Sequence, residues 1–264
     1  MELDGRTIVL TGATSGIGRA AARLFAAHAA VLVVQGPESD SDVVGLLEEL
    51  REIGRARVEY IEADFTRLDE VRRAADDIRA VTPSIDILVN NAGVPGAPLR
   101  QLTDDGFERT LQVNFFALAL LTERLSASIV DDGRIVNVGS TTHRMTSFDF
   151  DDPDLRDGYD PVRAYAQSKL AIVTYTTWLA ERLPRGIRVV SISPGVISTT
   201  LLHSMFGAGG ASVDHGGRRV VEAAAAEVPS GSYIDDGELV AASDDALDER
   251  NQKALAALTR ERIS

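Results

Sequence analysis

Short apolar segments alternate along the chain with longer segments in which apolar positions recur every three or four residues. The short segments are rich in β-branched residues and have the length of buried strands. They predict strands at residues 6–10, 31–35, 58–61, 85–90, 134–139 and 187–193. The longer segments predict helices directly after residue 18 and around residues 41–53, 67–80, 104–129, 162–183 and 246–263.

This alternation indicates a parallel sheet that is covered by helices on both faces. We therefore predict an α/β protein with a single-domain Rossmann fold over residues 1–264 and a doubly wound parallel sheet of about seven strands. No internal repeat and no linker divides the chain. The C-terminal segment, residues 246–263, is expected to form one amphipathic helix that Ser243 caps.

Composition narrows the class of protein. The 264-residue sequence has no cysteine and only four scattered histidines, so thiol chemistry and disulfides are excluded and no metal site is expected. Six aspartates between residues 149 and 160 lack the spacing of an EF-hand and are interpreted as a solvated acidic loop. The net charge of −13 argues against nucleic acid or an anionic membrane as a partner.

The N-terminal residues lack the basic and apolar regions of a signal peptide. No apolar run approaches the roughly 20 residues that a membrane span requires. We therefore expect a cytoplasmic protein that binds a small-molecule substrate, with no nucleic-acid and no membrane partner.

A glycine-rich turn follows the first predicted strand. It reads TGATSGIG at residues 11–18 and leads into a helix-favouring segment. In this strand–turn–helix setting, such a motif binds the pyrophosphate of a dinucleotide rather than serving as an ordinary turn. Gly12 would permit the tight turn, while Gly16 and Gly18 would let the pyrophosphate approach the backbone and the helix N-terminus.

A second group of residues suggests proton transfer. Tyr165 and Lys169 lie four residues apart on a predicted helix and therefore share a face. A cation within about 4–6 Å of an acidic group commonly lowers its pKa by roughly 1–3 units, which would bring the phenol toward the range of general acid–base catalysis. Ser140, at the end of the strand at 134–139, could hold a carbonyl oxygen. A surface helical pair is the alternative reading of the Tyr-Lys spacing by itself.

Together these motifs resemble the short-chain dehydrogenase/reductase family, and the resemblance covers essentially the whole chain. The matching positions, in the family's order and spacing, are Thr11–Gly18, Asp64, Asn90–Gly93, Asn114, Ser140, Tyr165, Lys169 and Pro194–Gly195. The segments at 141–169 and 230–235 resemble the retinol-dehydrogenase-like branch of the family. Phe115 and Phe116 replace the histidine-containing stretch of those relatives, so a retinoid substrate does not follow.

The resemblance implies an NAD(P)-dependent oxidoreductase that transfers a hydride between nicotinamide and a carbonyl or secondary alcohol. Ketone or aldehyde reduction is the expected reaction. Tyr165 would be the general acid/base, Lys169 would lower its pKa and hold the nicotinamide ribose, and Ser140 would orient the substrate oxygen. Asn114, a polar residue in an apolar helix, would hold a water that relays protons to Lys169, and a satisfied core amide is the alternative.

Further cofactor contacts follow from the resemblance. Asp64 would accept a hydrogen bond from the adenine amino group, with a loop aspartate that caps the next helix as the alternative. The other expected cofactor-binding residues are Thr14, Ser15, Ile17, Gly36, Phe65, Asn91, Ala92, Gly93, Pro194, Gly195, Ile197 and Thr199.

The choice of cofactor depends on the end of the second strand. Relatives specific for NAD have an aspartate where this chain has Gly36, so its absence favours NADP. Relatives that bind NADP usually continue with arginine, whereas this chain has Pro37. Arg19 could reach a 2′-phosphate, whereas Glu38, Asp40 and Asp42 would oppose it. We expect NADP in preference, with NAD as the alternative.

Residues 200–220 are expected to form a mobile lid over the site. Within it, Leu201, Leu202, Met205 and Phe206 suggest a small apolar or aromatic substrate, and ordinary packing of a connecting helix is the alternative.

The predicted helix at 115–121 is apolar on every side, which one sheet face cannot bury. The helix after Tyr165 also carries surplus apolar residues. Relatives pair these two helices in a four-helix interface, so a homodimer or homotetramer is expected. The alternative function, a non-catalytic dinucleotide-binding regulator, is disfavoured because Ser140, Tyr165 and Lys169 are all retained.

Overall fold

The predicted apolar segments form the strands of one sheet. A computed structural model of the chain describes residues 2–184, 186–207 and 209–264. The strands are β1 Thr7–Leu10, β2 Val31–Gly36, β3 Arg57–Glu62, β4 Ile85–Asn90, β5 Ile129–Val138, β6 Arg188–Ser193, β7 Tyr233–Asp235 and β8 Glu238–Val240. Their order is β3-β2-β1-β4-β5-β6-β7-β8, and all neighbours are parallel except β7 and β8.

Helical segments connect the strands. The α-helices are α1 Gly16–Ala26, α2 Asp40–Ile53, α3 Leu68–Val81, α4 Arg109–Leu111, α5 Ala117–Leu125, α6 Pro161–Ala180, α7 Thr200–Phe206, α8 Val213–Ala225, α9 Asp244–Leu247 and α10 Glu249–Ile263. A π-helical turn, Gln112–Phe116, joins α4 to α5, and 3₁₀ turns cover Ser126–Ser128 and Thr141–Arg144. The prediction of a single Rossmann-like α/β fold is confirmed.

The sheet separates two apolar cores. On β1, Val9 belongs to one core while Ile8 and Leu10 belong to the other, as the two-residue period of a strand requires. Helices α1, α2 and α8 cover one face, and α3, α5, α6 and α10 cover the other. The strand order reverses between β1 and β4, and in such sheets ligands bind at the carboxyl ends of the strands beside this point.

Two boundaries differ from the prediction. The sheet has eight strands rather than about seven, because β7 and β8 have only three residues each and give almost no periodic signal. The helix predicted from residue 104 begins at Arg109, because the buried Glu108 carboxylate accepts hydrogen bonds from the N–H groups of Thr110 and Leu111 at 2.9 and 2.8 Å. It gives way to β5 at Ile129.

The single C-terminal helix predicted at 246–263 was also wrong. Ser243 caps only α9, through the Ala246 N–H at 3.4 Å. Asp248 has an extended backbone, with ψ 116°, and its carboxylate accepts the Arg250 N–H at 2.7 Å to begin α10. Two capping side chains five residues apart therefore divide this segment into two helices.

The apolar side chains that suggested an oligomer are covered within the chain. Phe115 and Leu121 are completely buried, and Leu255 and Ile263 of α10 pack in the same core. The C-terminal helix therefore provides the second covering that the sequence argument assigned to another subunit. A homodimer or homotetramer stays a prediction, which light scattering at micromolar concentration tests.

Candidate active site

The glycine-rich turn lies between β1 and α1. Gly12 and Gly16 have positive φ angles of 63° and 51°. A Cβ on Gly12 would lie 2.6 Å from the Ala92 Cα, and a Cβ on Gly18 would lie 1.9 Å from the Gly12 carbonyl oxygen. A Cβ on Gly16 would meet only the Thr199 Cγ2, at 3.9 Å. Gly12 and Gly18 thus permit close backbone packing, and Gly16 faces open space.

The polar side chains of Gln35, Thr11 and Asn91 stabilise this turn by hydrogen bonds. The buried Gln35 accepts the Gly12 N–H at 3.2 Å and donates to the Ala63 carbonyl at 2.8 Å. The Thr11 hydroxyl oxygen accepts the N–H groups of Asn91 and Ala92, each at 3.0 Å. Sequence reasoning missed Gln35 and gave Thr11 no role, although a glutamine at the end of the apolar run VLVVQ was a signal.

Asn91 has a structural part within the same turn. Its side-chain amide donates to the carbonyl oxygens of Thr11 and Gly12 at 2.9 and 3.0 Å. Asn91 lines the cleft described below, but its donors serve the turn itself. The neighbouring Asn90 amide donates to Thr122 and Asn137 in the core, and Asn90 is not among the residues that line the cleft.

Ser140, Tyr165 and Lys169 meet at the carboxyl end of β5. Asp160 caps α6 by accepting the N–H groups of Val162 and Arg163, which fixes the helix start one turn before Tyr165. Tyr165 and Lys169 are 7% and 3% exposed. The Tyr165 hydroxyl and the Ser140 side chain lie close enough to interact, and both residues line the cleft described below.

The pKa values differ from the sequence expectation. Burial raises the pKa of Tyr165 to about 12, and the neighbouring Ser140 side chain only partly opposes this. Burial also lowers the pKa of Lys169 to about 8. The Lys169 Nζ donates to the Val138 carbonyl at 2.9 Å and lies 5.4 Å from the Tyr165 ring centre. Burial therefore opposes the lowering of the Tyr165 pKa that the sequence argument expected from Lys169, and that lowering stays a prediction.

Lys169→Met is expected to stabilise the cofactor-free protein at pH 7. The folded-state pKa of Lys169 lies below its unfolded value, so burying the charge opposes folding below pH 8, by on the order of 3 kcal/mol. This cost falls as the pH rises, and the wild-type protein should gain about 1 kcal/mol between pH 7 and 9. Urea unfolding at both pH values measures the effect.

Lys253→Met is the matched control, because Lys253 is the other lysine of the chain and lies exposed on α10. Its free energy of unfolding should stay close to that of the wild type. A Lys169→Met variant that is less stable than the wild type at pH 7 would show that the bond to Val138 outweighs the cost of burying the charge.

Asn114 lies in the π-helical turn and is fully buried. Its side-chain oxygen accepts the Val94 N–H at 2.7 Å, and its amide donates to the Val94 carbonyl and to Ser168 Oγ at 3.0 and 2.9 Å. These bonds match the alternative reading of a satisfied core amide that joins α6 to the loop after β4. The water relay through Asn114 stays a prediction.

Gly93 leaves space beside these groups. A Cβ at Gly93 would lie 3.3 Å from the Asn114 side-chain oxygen and 3.6 Å from the Lys169 Nζ. An added Cβ would therefore press on the Asn114 oxygen, whereas its contact with Lys169 would be an ordinary van der Waals contact.

One cleft of about 940 Å³ connects the glycine turn with Tyr165. All predicted site residues line it except Gly36 and Asn114, namely Gly12, Thr14, Ser15, Gly16, Ile17, Gly18, Asp64, Phe65, Asn91, Ala92, Gly93, Ser140, Tyr165, Lys169, Pro194, Gly195, Ile197 and Thr199. Lining residues that sequence reasoning did not assign to the site include Val94, Arg109, Val113, Thr141, Thr142, Met145 and Val196.

Two predicted contacts also have structural partners. One Asp64 oxygen accepts the Thr66 N–H at 2.9 Å in the loop before α3, whose N-cap residue is Arg67, so Asp64 does not cap that helix, and the residue lines the cleft. Thr199 Oγ1 accepts the Leu202 N–H at 3.1 Å and caps α7.

The predicted lid at 200–220 is only partly separate from the body of the fold. Leu201, Leu202 and Met205 line the cleft. The side chain of Phe206 and residue Ala208 lie outside the described part of the chain. The second half of the segment belongs to α8, where a Cβ on Gly217 would lie 2.7 Å from Ala20 of α1. The mobile lid at 200–220 stays a prediction.

The packing at the end of β2 leaves no room for a side chain at Gly36. A Cβ there would lie 2.4 Å from Thr14 Cγ2 and 2.7 Å from Glu38 Oε2. The Glu38 carboxylate thus fills the space beside Gly36 and lines the cleft, and its Oε2 is buried without a hydrogen-bond partner. Arg19 forms an ion pair with Glu49 at 2.8 Å and is not among the lining residues.

The described helices include none that is long and apolar enough to cross a bilayer. Within the described ranges, no group of three or more histidine, cysteine, aspartate or glutamate residues is arranged to hold a metal ion.

The fold and the cleft are typical of nucleotide-dependent oxidoreductases. Comparison with known proteins identifies the family. Residues 6–208 match the short chain dehydrogenase family. Over 206 residues, or 75% of this chain, the sequence is 39% identical to polyprenol dehydrogenase of Mus musculus. It is 34% identical over 205 residues, again 75% of the chain, to a retinol dehydrogenase of Mus musculus. The chain spans 61% and 60% of the lengths of these two relatives.

A crystal structure of a short chain dehydrogenase from Burkholderia cenocepacia in complex with NADP has a TM-score of 0.71 and 28% sequence identity. The match covers 90% of this chain and 99% of that one. The chain belongs to the short-chain dehydrogenase/reductase family of oxidoreductases. Its similarity to the retinol-dehydrogenase-like branch is confirmed.

Proposed function

We propose that this protein transfers a hydride between a nicotinamide dinucleotide and a carbonyl or secondary alcohol, with Tyr165 as the general acid/base. The observation that carries the proposal is the cleft itself. It joins an open glycine turn at one end to the neighbouring side chains of Ser140 and Tyr165 at the other. Lys169 has little structural purpose, because burying its charge without a carboxylate partner opposes folding.

The residues of the cleft fit a dinucleotide. Gly16 leaves open space at the N-terminus of α1, where backbone N–H groups and the helix dipole favour a phosphate. The unpartnered Glu38 oxygen needs a hydrogen-bond donor, which a ribose hydroxyl would supply. The volume of the cleft lies at the upper end of the roughly 300–1,000 Å³ that ligand sites occupy. When bound, the nicotinamide supplies or accepts the hydride.

The protein's own part is to orient the substrate and move one proton. Ser140 would donate a hydrogen bond to the substrate oxygen and support the charge that develops there. Tyr165 would give its hydroxyl proton to that oxygen in reduction and take it back in oxidation. Lys169, held at Val138, would keep a positive charge near the phenol and so favour the phenolate.

The substrate end of the cleft supports an apolar substrate. Its walls include Val94, Met145, Leu201, Leu202 and Met205. Two of the similar proteins are named for dehydrogenation of polyprenol and retinol, which are both largely hydrocarbon. We infer a small apolar or aromatic aldehyde, ketone or alcohol as the substrate class.

Deuteride transfer tests the proposal. The protein is incubated with cofactor deuterated at nicotinamide C4 and a panel of apolar aldehydes and ketones, and the alcohols are analysed by mass spectrometry. One deuterium on the former carbonyl carbon is expected, and Ser140→Ala should lose it. Cofactor binding without transfer to any panel member would favour the regulatory alternative instead.

The structure also bears on the choice between NAD and NADP. Arg19, the only cation that the sequence offered for a 2′-phosphate, is already paired with Glu49. The Glu38 carboxylate lines the cleft at the end of β2, where it would accept a hydrogen bond from a 2′-hydroxyl and repel a 2′-phosphate. We infer a preference for NAD over NADP, the reverse of the sequence expectation.

NADH is expected to bind at least about tenfold more tightly than NADPH, because like charges in contact disfavour the phosphate. Glu38→Gln should narrow this ratio, whereas Asp40→Asn should not, because Asp40 is exposed and does not line the cleft. Fluorescence titration with each reduced cofactor measures the ratio. Tighter binding of NADPH to the wild type would overturn the assignment of Glu38.

A further inference from the structure

His143 lies three residues after Ser140 and takes no part in the proposed chemistry. It is completely buried in the 3₁₀ turn Thr141–Arg144 that Ser140 caps. Its Nδ1 lies 2.7 Å from the Ser140 carbonyl oxygen. Its Nε2 lies 3.1 Å from the backbone nitrogen of Ser243, which is 100 residues away in the sequence. The ring therefore bridges the active-site turn and the start of the C-terminal helices.

These two contacts determine where the imidazole proton lies. A backbone N–H can only donate, so the Nε2 that receives the Ser243 N–H must be unprotonated. A carbonyl oxygen can only accept, so the Nδ1 that faces Ser140 must carry the proton. Burial lowers the pKa of His143, which keeps the ring in this neutral form.

The surroundings leave the ring little freedom. Its centre lies 4.6 Å from that of the buried Tyr233 of β7 at an interplanar angle of 62°, an edge-to-face contact. The next residue, Arg144, lies over the same tyrosine ring at 5.6 Å and donates to the Ala241 carbonyl. The 3₁₀ turn is thus held to residues 233–243 by two consecutive side chains.

We propose that His143 is a positioning residue that holds Ser140 in its active orientation by fixing the Ser140 carbonyl. The backbone of Ser140 is extended, with φ −166°. Its hydroxyl oxygen accepts the Thr142 N–H at 3.2 Å and must at the same time stay beside the Tyr165 hydroxyl. Rotation of the Ser140 peptide would move that hydroxyl. The donated bond from Nδ1 opposes this rotation, and the bond from Ser243 keeps the donor on Nδ1. The proposal rests on the role of Ser140 proposed above.

Two substitutions of His143 each remove one of its two side-chain hydrogen bonds, to Ser140 or to Ser243, and keep the other. In His143→Asn, the side-chain amide nitrogen occupies the place of Nδ1 and can still donate to Ser140, but nothing reaches Ser243. In His143→Gln, the side-chain oxygen occupies the place of Nε2 and can still accept from Ser243, but no side chain donates to the Ser140 carbonyl, which keeps only the backbone N–H of residue 143 at 3.2 Å. Each variant loses one buried hydrogen bond and part of the ring packing, so a merely structural histidine would tolerate both about equally.

The expected result is a difference in kcat. His143→Gln should lower kcat by roughly tenfold, the effect of one lost buried hydrogen bond, whereas His143→Asn should stay within about threefold of the wild type. The Kd for the cofactor should be unchanged in both. Equal losses of kcat in the two variants, or a larger loss in His143→Asn, would overturn the proposal.

Two further measurements keep the outcomes distinct. Ser140→Ala shows whether the Ser140 hydroxyl is needed for activity, and full activity of this variant would overturn the proposed function. If Ser140→Ala is inactive but His143→Asn and His143→Gln lose kcat equally, only the proposed role of His143 is overturned. If a variant does not fold, ¹⁵N-detected NMR of wild-type histidine side chains still decides. One of the four histidines must be in the neutral Nδ1–H form, and a His143 protonated on Nε2 would overturn the proposal.

Discussion

Tyr165→Phe is expected to lower kcat by about 10³-fold while leaving the Kd for the cofactor almost unchanged. The variant loses only the hydroxyl beside Ser140 in the cleft, and general acid–base groups typically contribute about 10²–10⁴-fold. Steady-state kinetics combined with cofactor titration measures both quantities on the same preparation.

Tyr175→Phe is the matched control for this prediction. Tyr175 lies on the same helix and is similarly buried, but it packs against Phe115 and Trp178 away from the cleft. Loss of the Tyr175 hydroxyl should leave kcat within a few-fold of the wild-type value. Substantial turnover by Tyr165→Phe would contradict the role given to the phenol, whatever the control shows.

Gly18→Ala is expected to abolish cofactor binding and to lower the free energy of unfolding by about 2–4 kcal/mol. The added Cβ would lie 1.9 Å from the Gly12 carbonyl oxygen and 2.5 Å from the Asn91 amide nitrogen. The first of these is a backbone atom, so the turn or helix α1 must move, and both form the cofactor end of the cleft. Urea unfolding and cofactor titration report the two effects.

Gly45→Ala provides the comparison, because Gly45 lies within α2 and an added Cβ meets nothing within 4 Å. There the same substitution should stabilise the protein by about 0.5–1 kcal/mol, since alanine favours a helix. Normal cofactor affinity in Gly18→Ala would contradict the assignment of the turn as a pyrophosphate site.

Local sequence patterns predicted the parts of the fold whose signals are themselves local. The apolar runs of β1 and β4 and the glycine turn before α1 each show their structure within about ten residues. The spacing of Tyr165 and Lys169 likewise requires only that α6 be a helix. These elements therefore agreed closely with the prediction.

The features that the sequence did not reveal depend on contacts between distant segments. The bond between His143 and Ser243 spans 100 residues, and the pairing of Arg19 with Glu49 spans 30. The first could be recognised only once the chain was folded, and the second is one of the two observations on which we base the proposal of NAD as the preferred cofactor. Strands β7 and β8 were missed for a different reason, because three residues are too few to show a period of two.

Burial explains why the pKa of Tyr165 differs from the sequence expectation. The sequence places Lys169 one helical turn from Tyr165, and from this distance a lowered tyrosine pKa follows. It does not show how thoroughly α6 is covered, and the resulting loss of water raises the pKa of Tyr165 to about 12. The catalytic range must therefore be reached with the help of the bound cofactor and substrate.

Calorimetric titration of the wild-type protein with NADH and, separately, with NADPH tests the central claim most directly. The account predicts one site per chain, with a Kd for NADH in the micromolar to millimolar range and weaker binding of NADPH. Failure of the folded protein to bind either dinucleotide would contradict the account, because the glycine turn, Glu38 and Tyr165 are all interpreted as parts of one cofactor site.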